Sequence, residues 1–292
     1  MRNALTVDVE DWYMTNGLNI PPSEWHRYDD RVVGSTTGLL DLFDRYKVKG
    51  TFFILGSVAQ RHPGLIEDIA RRGHEIASHG YWHQLVTSQS LEAFREDVRD
   101  SKEILERITG RTVTLYRAPS WSMEPERYEA LNILAEQGFV CDSSMQPFRT
   151  PLSGIAGAPH QPFTPLLNDM ETGVIEFPPS VTEVAGMTVP FSGGFYLRAI
   201  PYAFVKWALS RVNKTRPGMI YIHPWEIDPG QPRVQTSAFI KLIQYYGLNG
   251  TVSKLEQLLN DFSFQPLGEV IRSHTNYPKH RLYTPGYKQA AR

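Results

Sequence analysis

The sequence predicts an α/β fold built on a largely parallel sheet, and three observations carry that expectation. Short β-rich runs alternate with longer segments of helical period along most of the chain. A length of 292 residues suits one large domain with extensions, since ordinary domains take about 150 residues and barrels ~200 to 250. Hydrophobic residues make up 41% and charged residues 21%, enough for a sizeable core, which excludes disorder and collagen-like structure.

Strands are expected at residues 4–9, 50–55, 75–78, 113–116, 139–141, 173–177 and 219–222. Residues 36–46 place Leu39, Leu40, Leu42 and Phe43 on one side, and residues 91–108 combine Phe94, Val98, Ile104, Leu105 and Ile108 with an acidic start. Both read as helices packed outside the sheet. Pro63 opens a third helix running through Ile69, and Gly73 stops it. Residues 145–168 are rich in Pro, Gly and Ser and read as an insertion that forms a lid or faces the substrate. One domain is expected over residues 1–272. A basic tail follows over residues 273–292, with His274, Lys279, His280, Arg281, Lys288 and Arg292 but no carboxylate, expected to wrap the surface or move freely.

Thirty basic against 31 acidic residues leave a formal net charge of −1, so there is no long-range field for a nucleic-acid backbone and none is expected as a partner. The single cysteine, Cys141, rules out an internal disulfide and a paired-cysteine zinc ribbon. The first residues carry Asp8, Glu10 and Asp11 where a signal peptide needs an apolar core, and no stretch reaches the ~18 to 20 apolar residues that span a bilayer. The expected location is cytoplasmic, with peripheral recruitment to the inner membrane left open.

Asp8, Glu10 and Asp11 end the first strand, where buried carboxylates repel one another unless a cation or hydrogen bonds compensate. His79 and His83 stand four apart just after the run 75–78, a spacing that lets both imidazoles converge at a strand end. Gly80 occupies the position where a helical zinc-protease motif needs Glu, which disfavours a metalloprotease. Two imidazoles and one carboxylate leave open positions on a divalent ion for water and substrate, the composition of a hydrolytic site. Alternation along a strand sends Asp8 and Glu10 to the same side. Further polar segments end later strands: Arg117-Ala118-Pro119, Asp142-Ser143-Ser144 and His223-Pro224-Trp225-Glu226. In a parallel barrel such ends gather at one face.

In order and spacing these segments resemble the five motifs of the polysaccharide deacetylases of carbohydrate esterase family 4, the NodB-homology family. The local wording is similar to the branch of peptidoglycan deacetylases and allantoinase-like proteins, and most of all to deacetylases associated with exosortase and exopolysaccharide loci. The segments 190–198 and 223–228 extend the likeness to nearly the whole chain. Val9 departs from the family's pattern, because the first motif there has two adjacent Asp residues, a base and then a metal ligand. The similar branch has an acid at the i+2 position, which together with strand alternation implies Glu10 as the carboxylate ligand, or Asp11 if the strand breaks there.

The resemblance implies a distorted (β/α)7-type barrel with irregular insertions and a C-terminal extension. It implies removal of N-acetyl groups from amino sugars of a polysaccharide or its precursor, with an N-acetylated glycan as partner. The implied cofactor is a divalent metal, zinc first, with cobalt, nickel or manganese as alternatives. Asp8 would be the base toward a metal-activated water and His223 the acid toward the departing amine, with Arg117 holding Asp8 and Asp142 orienting His223 and raising its pKa. A backbone N–H near Tyr81 or in another loop would meet the oxyanion, and Trp82, Trp121 and Trp225 would stack on sugar rings. The competing expectations are an allantoinase-like amidohydrolase acting on a small cyclic amide, and a carbohydrate-binding relative without catalysis.

Overall fold

The computed structural model describes residues 1–151, 153–274 and 276–284. The β-rich runs become the strands β1 (Arg2–Val9), β2 (Thr51–Ile54), β3 (Glu75–Ser78), β4 (Leu115–Tyr116), β5 (Cys141–Asp142), β6 (Ile175–Glu176), β7 (Met219–Ile222) and β8 (Ser263–Gln265). All pair in parallel, in the order β7-β1-β2-β3-β4-β5-β6, and β8 also pairs with β1. The sheet curls into a distorted (β/α) barrel of the expected class. Along the gap between its ends the chain docks on β7, where the Tyr221 N–H donates to Ser192 O at 2.9 Å.

Side-chain parity divides the core in two. Leu5, Val7, Val9, Phe52, Ile54, Ile220 and Ile222 pack outward beneath the helices Val32–Arg45, Pro63–Arg71 and Leu91–Thr109. Ala4, Phe53, Ala77, Leu115, Cys141, Met219 and Tyr221 fill the interior, where Leu267, Val270 and Ile271 of the short helix Leu267–Arg272 join the same cluster. Period-2 alternation in fully covered strands produces this division. The register pairs Asp8 with Phe53, Ile54 with Ser78, Ser78 with Tyr116 and Tyr116 with Asp142, so the polar segments that follow the strands emerge along one rim.

Two segments differ in detail from expectation. The insertion at 145–168 is irregular as far as Phe163 but ends in a strand, Thr164–Leu167, paired in parallel with Lys279–Leu282 and antiparallel with Met170–Glu171. The last stretch therefore wraps the surface at Lys279, His280 and Arg281, while Lys288 and Arg292 lie outside the described residues. Residues 181–194 open with an antiparallel hairpin of Val181–Val184 and Met187–Pro190. Among the described residues no helix is long and apolar enough to cross a membrane.

His74 couples β3 to its neighbours, its Nδ1 accepting the Gly50 N–H at 3.2 Å and its ring packed on Phe52 and Phe43. Burial first, then the charge of Lys49, pushes its pKa down to about 4. A base whose folded pKa lies below its unfolded value of about 6.5 contributes stability fully above that value and loses it as pH falls toward the folded one. Chemical denaturation from pH 7 to pH 4.5 should therefore show a loss of up to about 3 kcal/mol in the parent that His74→Asn, which retains an acceptor, does not share. Parallel pH profiles for the two proteins would remove His74 as a source of acid sensitivity.

Candidate metal and catalytic site

Asp8 and Glu10 leave β1 on the same side and are both buried, at 2% and 3% exposure. His79 follows β3 directly, and the chain then turns with positive φ at Gly80 (75°) and His83 (56°), which brings the second imidazole back over the first. A side chain at Gly80 would be strained by that φ and would meet Asp97 Oδ2 at 2.8 Å. The ligand atoms of Glu10, His79 and His83 lie within 4.8 Å of one another.

The donor set fits a divalent ion. His79 Nδ1 donates to Arg117 O at 2.8 Å, leaving Nε2 with a free lone pair. Burial first, outweighing the charge of Asp8, holds the His79 pKa at about 4, so this imidazole is neutral and able to ligate. Glu10 Oε2 lies 2.5 Å from His83 Nε2 yet is buried without a well-aligned hydrogen bond, the geometry of two groups converging on a common third atom. Burial raises the Glu10 pKa, but the imidazoles, His83 foremost, outweigh it and bring it to about 2. Trp225 Nε1 fixes the other oxygen, donating to Glu10 Oε1 at 3.0 Å. Asn16 stands 3.2 Å from His83 Nδ1 and also meets Ser120 Oγ at 2.9 Å. With its carboxamide turned over, its oxygen would accept from both and leave His83 Nε2 free for the ion.

Asp11 is not part of this cluster. Its carboxylate accepts from the amides of Trp12 at 2.8 Å, Arg31 at 2.7 Å and Val32 at 2.9 Å, so it satisfies the start of the helix Val32–Arg45. Burial raises its pKa to about 6 against these bonds.

Arg117, fully buried, lies over the faces of Phe53 and Trp121, and its Nη1 donates to Asp8 Oδ1 at 2.5 Å and Thr6 Oγ1 at 3.0 Å. Ser143 receives the rest of the guanidinium through its carbonyl at 3.2 Å and its hydroxyl at 3.1 Å. Asp8 Oδ2 is left facing His223 Nε2 at 3.9 Å, the same distance at which Glu10 Oε1 lies.

The carboxylate on His223 is Glu226, and here the structure corrects the expectation for Asp142. Glu226 Oε2 lies 2.9 Å from His223 Nδ1 and accepts the His223 N–H at 2.9 Å, while its Oε1 accepts from Arg198 Nε at 2.7 Å. Burial lowers the His223 pKa, but the hydrogen bond and charge of Glu226 outweigh it and raise it to about 9. Asp142 instead accepts from the Ser144 hydroxyl, whose oxygen accepts the Ala118 N–H at 2.7 Å. It faces Glu176 across the β5–β6 pairing, and burial pushes both carboxyls up. The Asp-Ser-Ser segment therefore buttresses the Arg117 turn.

The aromatic candidates separate. Trp121 and Trp225 line the cavity above the site, but both are 7% exposed. Trp225 lies between His223, stacked at 5.0 Å, and the guanidinium of Arg198 at 5.4 Å, so it positions neighbours and offers a sugar no free face. Trp121 is covered by Arg117 and the edge of Tyr221. Tyr81 points to Gln60 at 3.0 Å, and its N–H donates to Asp97 Oδ2 at 3.0 Å. Trp82, 42% exposed, packs against Trp25 and Tyr81, outside the cavity lining. Glu226 was open to discovery as an acid three residues after a residue followed by Pro, the spacing of a capping box. Arg198 and Asn16 carry no such local signal.

With this geometry in place, likeness to known proteins becomes informative. Residues 22–139 match the polysaccharide deacetylase family and residues 143–272 match a domain of unknown function, DUF3473. The chain is 33% identical over 100 residues to the peptidoglycan-N-acetylmuramic acid deacetylase PdaC of Bacillus subtilis, covering 34% of this chain and 21% of that protein. It is 32% identical over 108 residues to the peptidoglycan-N-acetylglucosamine deacetylase PgdA of Listeria monocytogenes, covering 36% of this chain and 23% of that protein. The alignments thus span less than a quarter of either relative. In fold it resembles a Mycobacterium smegmatis protein assigned to the polysaccharide deacetylases, with a TM-score of 0.61 and 21% identity over 96% of this chain and 93% of that one. A family 4 carbohydrate esterase from Streptomyces lividans follows at a TM-score of 0.50 and 14% identity, over 91% of each chain.

Residues 22–139 thus carry a polysaccharide deacetylase (NodB-homology) domain, and the DUF3473 segment that follows is consistent with the exosortase-associated branch.

In chelator-treated protein, Glu226→Gln should lower the His223 pKa by about one unit or more, read from imidazole NMR shifts, because the imidazolium loses its carboxylate. Asp142→Asn should leave it within a few tenths of a unit. The opposite ranking would return the orienting role to Asp142.

Proposed function

We propose that the chain is a metal-dependent N-deacetylase that hydrolyses the acetamide of an amino sugar in a glycan or glycan precursor. The observation that carries this is the meeting, at the floor of one cavity of about 480 Å³, of a Glu10–His79–His83 cluster, an arginine-held Asp8 and a carboxylate-held His223. The named relatives cleave N-acetyl groups from peptidoglycan sugars, and that chemistry transfers to this chain as the proposal.

Glu10, His79 and His83 would hold the ion, zinc before cobalt, nickel or manganese, which when bound supplies Lewis acidity to the amide carbonyl and to water. Asp8, with Oδ1 tied to Arg117, presents Oδ2 to accept the proton of the attacking water. Arg117 keeps that carboxylate aimed. His223, charged through its bond to Glu226, presents Nε2 to the amide nitrogen and delivers the proton that lets the amine depart. Arg198 holds Glu226 on its far side, so the imidazole ring has one orientation. Water attack, one proton taken and one delivered leave acetate and the free amine.

Incubation with N-acetylated chitooligosaccharides and zinc, with acetate measured enzymatically, tests the assignment; no acetate with any of several acetylated sugars and divalent ions would reject it. His79→Ala should lose bound metal by elemental analysis while keeping its far-UV spectrum. Asp8→Asn should retain metal and lose about 10²-fold or more in kcat. Full metal occupancy in the first variant, or near-parental turnover in the second, would remove that residue from its role.

A further inference from the structure

The helix Ala238–Tyr245 is inverted relative to an ordinary surface helix. Gln244 and Tyr245 are its buried residues, while Phe239 and Leu242 are 52% and 48% exposed, and the next residue, Tyr246, is 50% exposed. Water-facing apolar side chains on one helix are costly without an occupant. The helix is also firmly held: the Ser237 side chain caps its start, and Arg198 donates to the carbonyls of Ile243, Gln244 and Tyr246 at its end. Ile240 and Ile243 are half-buried, and Ile240 lies beside Gly17 of the loop after β1.

This helix and the reaction centre bound the same cavity, which Asp8, Glu10, His79, His83 and His223 line at one end and Phe239, Ile240, Leu242 and Ile243 at the other. Aromatic edges continue the apolar wall, with Tyr196 5.4 Å from Phe148 and 5.8 Å from Phe195, and Phe195 6.3 Å from Tyr246. Sugar hydroxyls require hydrogen-bond partners that branched aliphatic side chains do not provide. The occupant of the wall is therefore apolar, and because the cavity is continuous it is joined to the molecule whose amide is cleaved. No carboxylate occurs between Asp228 and Glu256, whereas Arg233 and Lys241 are exposed there, so the flanking charge suits an anionic linkage.

We propose that the substrate is an N-acetylated amino sugar carrying a long aliphatic chain, seated along Ala238–Tyr245. The proposal rests on the deacetylase reading and narrows its substrate to a lipid-linked glycan.

The test compares acetate release from the methyl and octyl β-glycosides of N-acetylglucosamine, below the octyl glycoside's micelle concentration. The octyl compound should show kcat/KM at least about tenfold higher, the effect of burying two methylenes or more. Leu242→Ser and Ile240→Ser should bring the octyl-to-methyl ratio toward one, with helicity checked by circular dichroism. Equal kcat/KM for the two glycosides in the parent would overturn the proposal. So would a ratio of one accompanied by co-sedimentation with anionic phospholipid vesicles, which would make the helix a membrane contact. If neither glycoside releases acetate, the deacetylase reading is judged separately by the wider set of acetylated sugars and divalent ions. Binding of the two glycosides, followed by tryptophan fluorescence, then decides the apolar site alone: tighter octyl binding supports it and equal binding overturns it.

Discussion

Two buried carboxylates on one strand end, Asp8 and Glu10, set the terms for everything around them. Left unpaired in the barrel interior they would cost several kcal/mol each, so each has its own cationic or cation-binding environment. Asp8 takes the guanidinium of Arg117, buried over Phe53 and Trp121. Glu10 takes the paired imidazoles and a bond from Trp225. The separation matters chemically: Arg117 occupies one oxygen of Asp8 and leaves the other free for a proton, while the orphaned oxygen of Glu10 points to where an ion would sit.

The supporting residues form two independent frameworks. Ser143, Ser144, Asp142 and Glu176 brace the Arg117 turn from inside the barrel, with Glu176 accepting the amides of Ser144 and Met145. Glu226 and Arg198 brace His223 from the other side. Arg198 also grips the carbonyls at the end of Ala238–Tyr245, so the residue that orders the acid also orders the apolar wall of the cavity. The imidazole of His223 and the apolar wall thereby share a common anchor.

Strand-end clustering was legible because the β runs are strongly periodic and each ends abruptly in polar residues. The strands Glu75–Ser78 and Met219–Ile222 coincide with the β runs at 75–78 and 219–222. The resemblance to the deacetylase family, carried by the same segments, agrees with the family match over residues 22–139 and with the fold. The partner of His223 was missed because an acid at Asp142 and an acid at Glu226 look alike in one dimension. The partner of the Tyr81 amide, Asp97, is equally invisible in one dimension, since it comes from the helix Leu91–Thr109.

Local order, then, was decided by the chain itself: alternation along β1 put Asp8 and Glu10 on one face, and Gly80 allowed the turn that returns His83 toward His79. Such features depend on residues a few positions apart, whose relative directions backbone geometry dictates. Which carboxylate meets which imidazole, which tryptophan retains a free face and which helix shows its apolar side to a cavity were decided only by packing. Those contacts join residues tens to hundreds of positions apart, such as Trp225 with Glu10 and Arg198 with Glu226, and their partners are chosen by the barrel's closure.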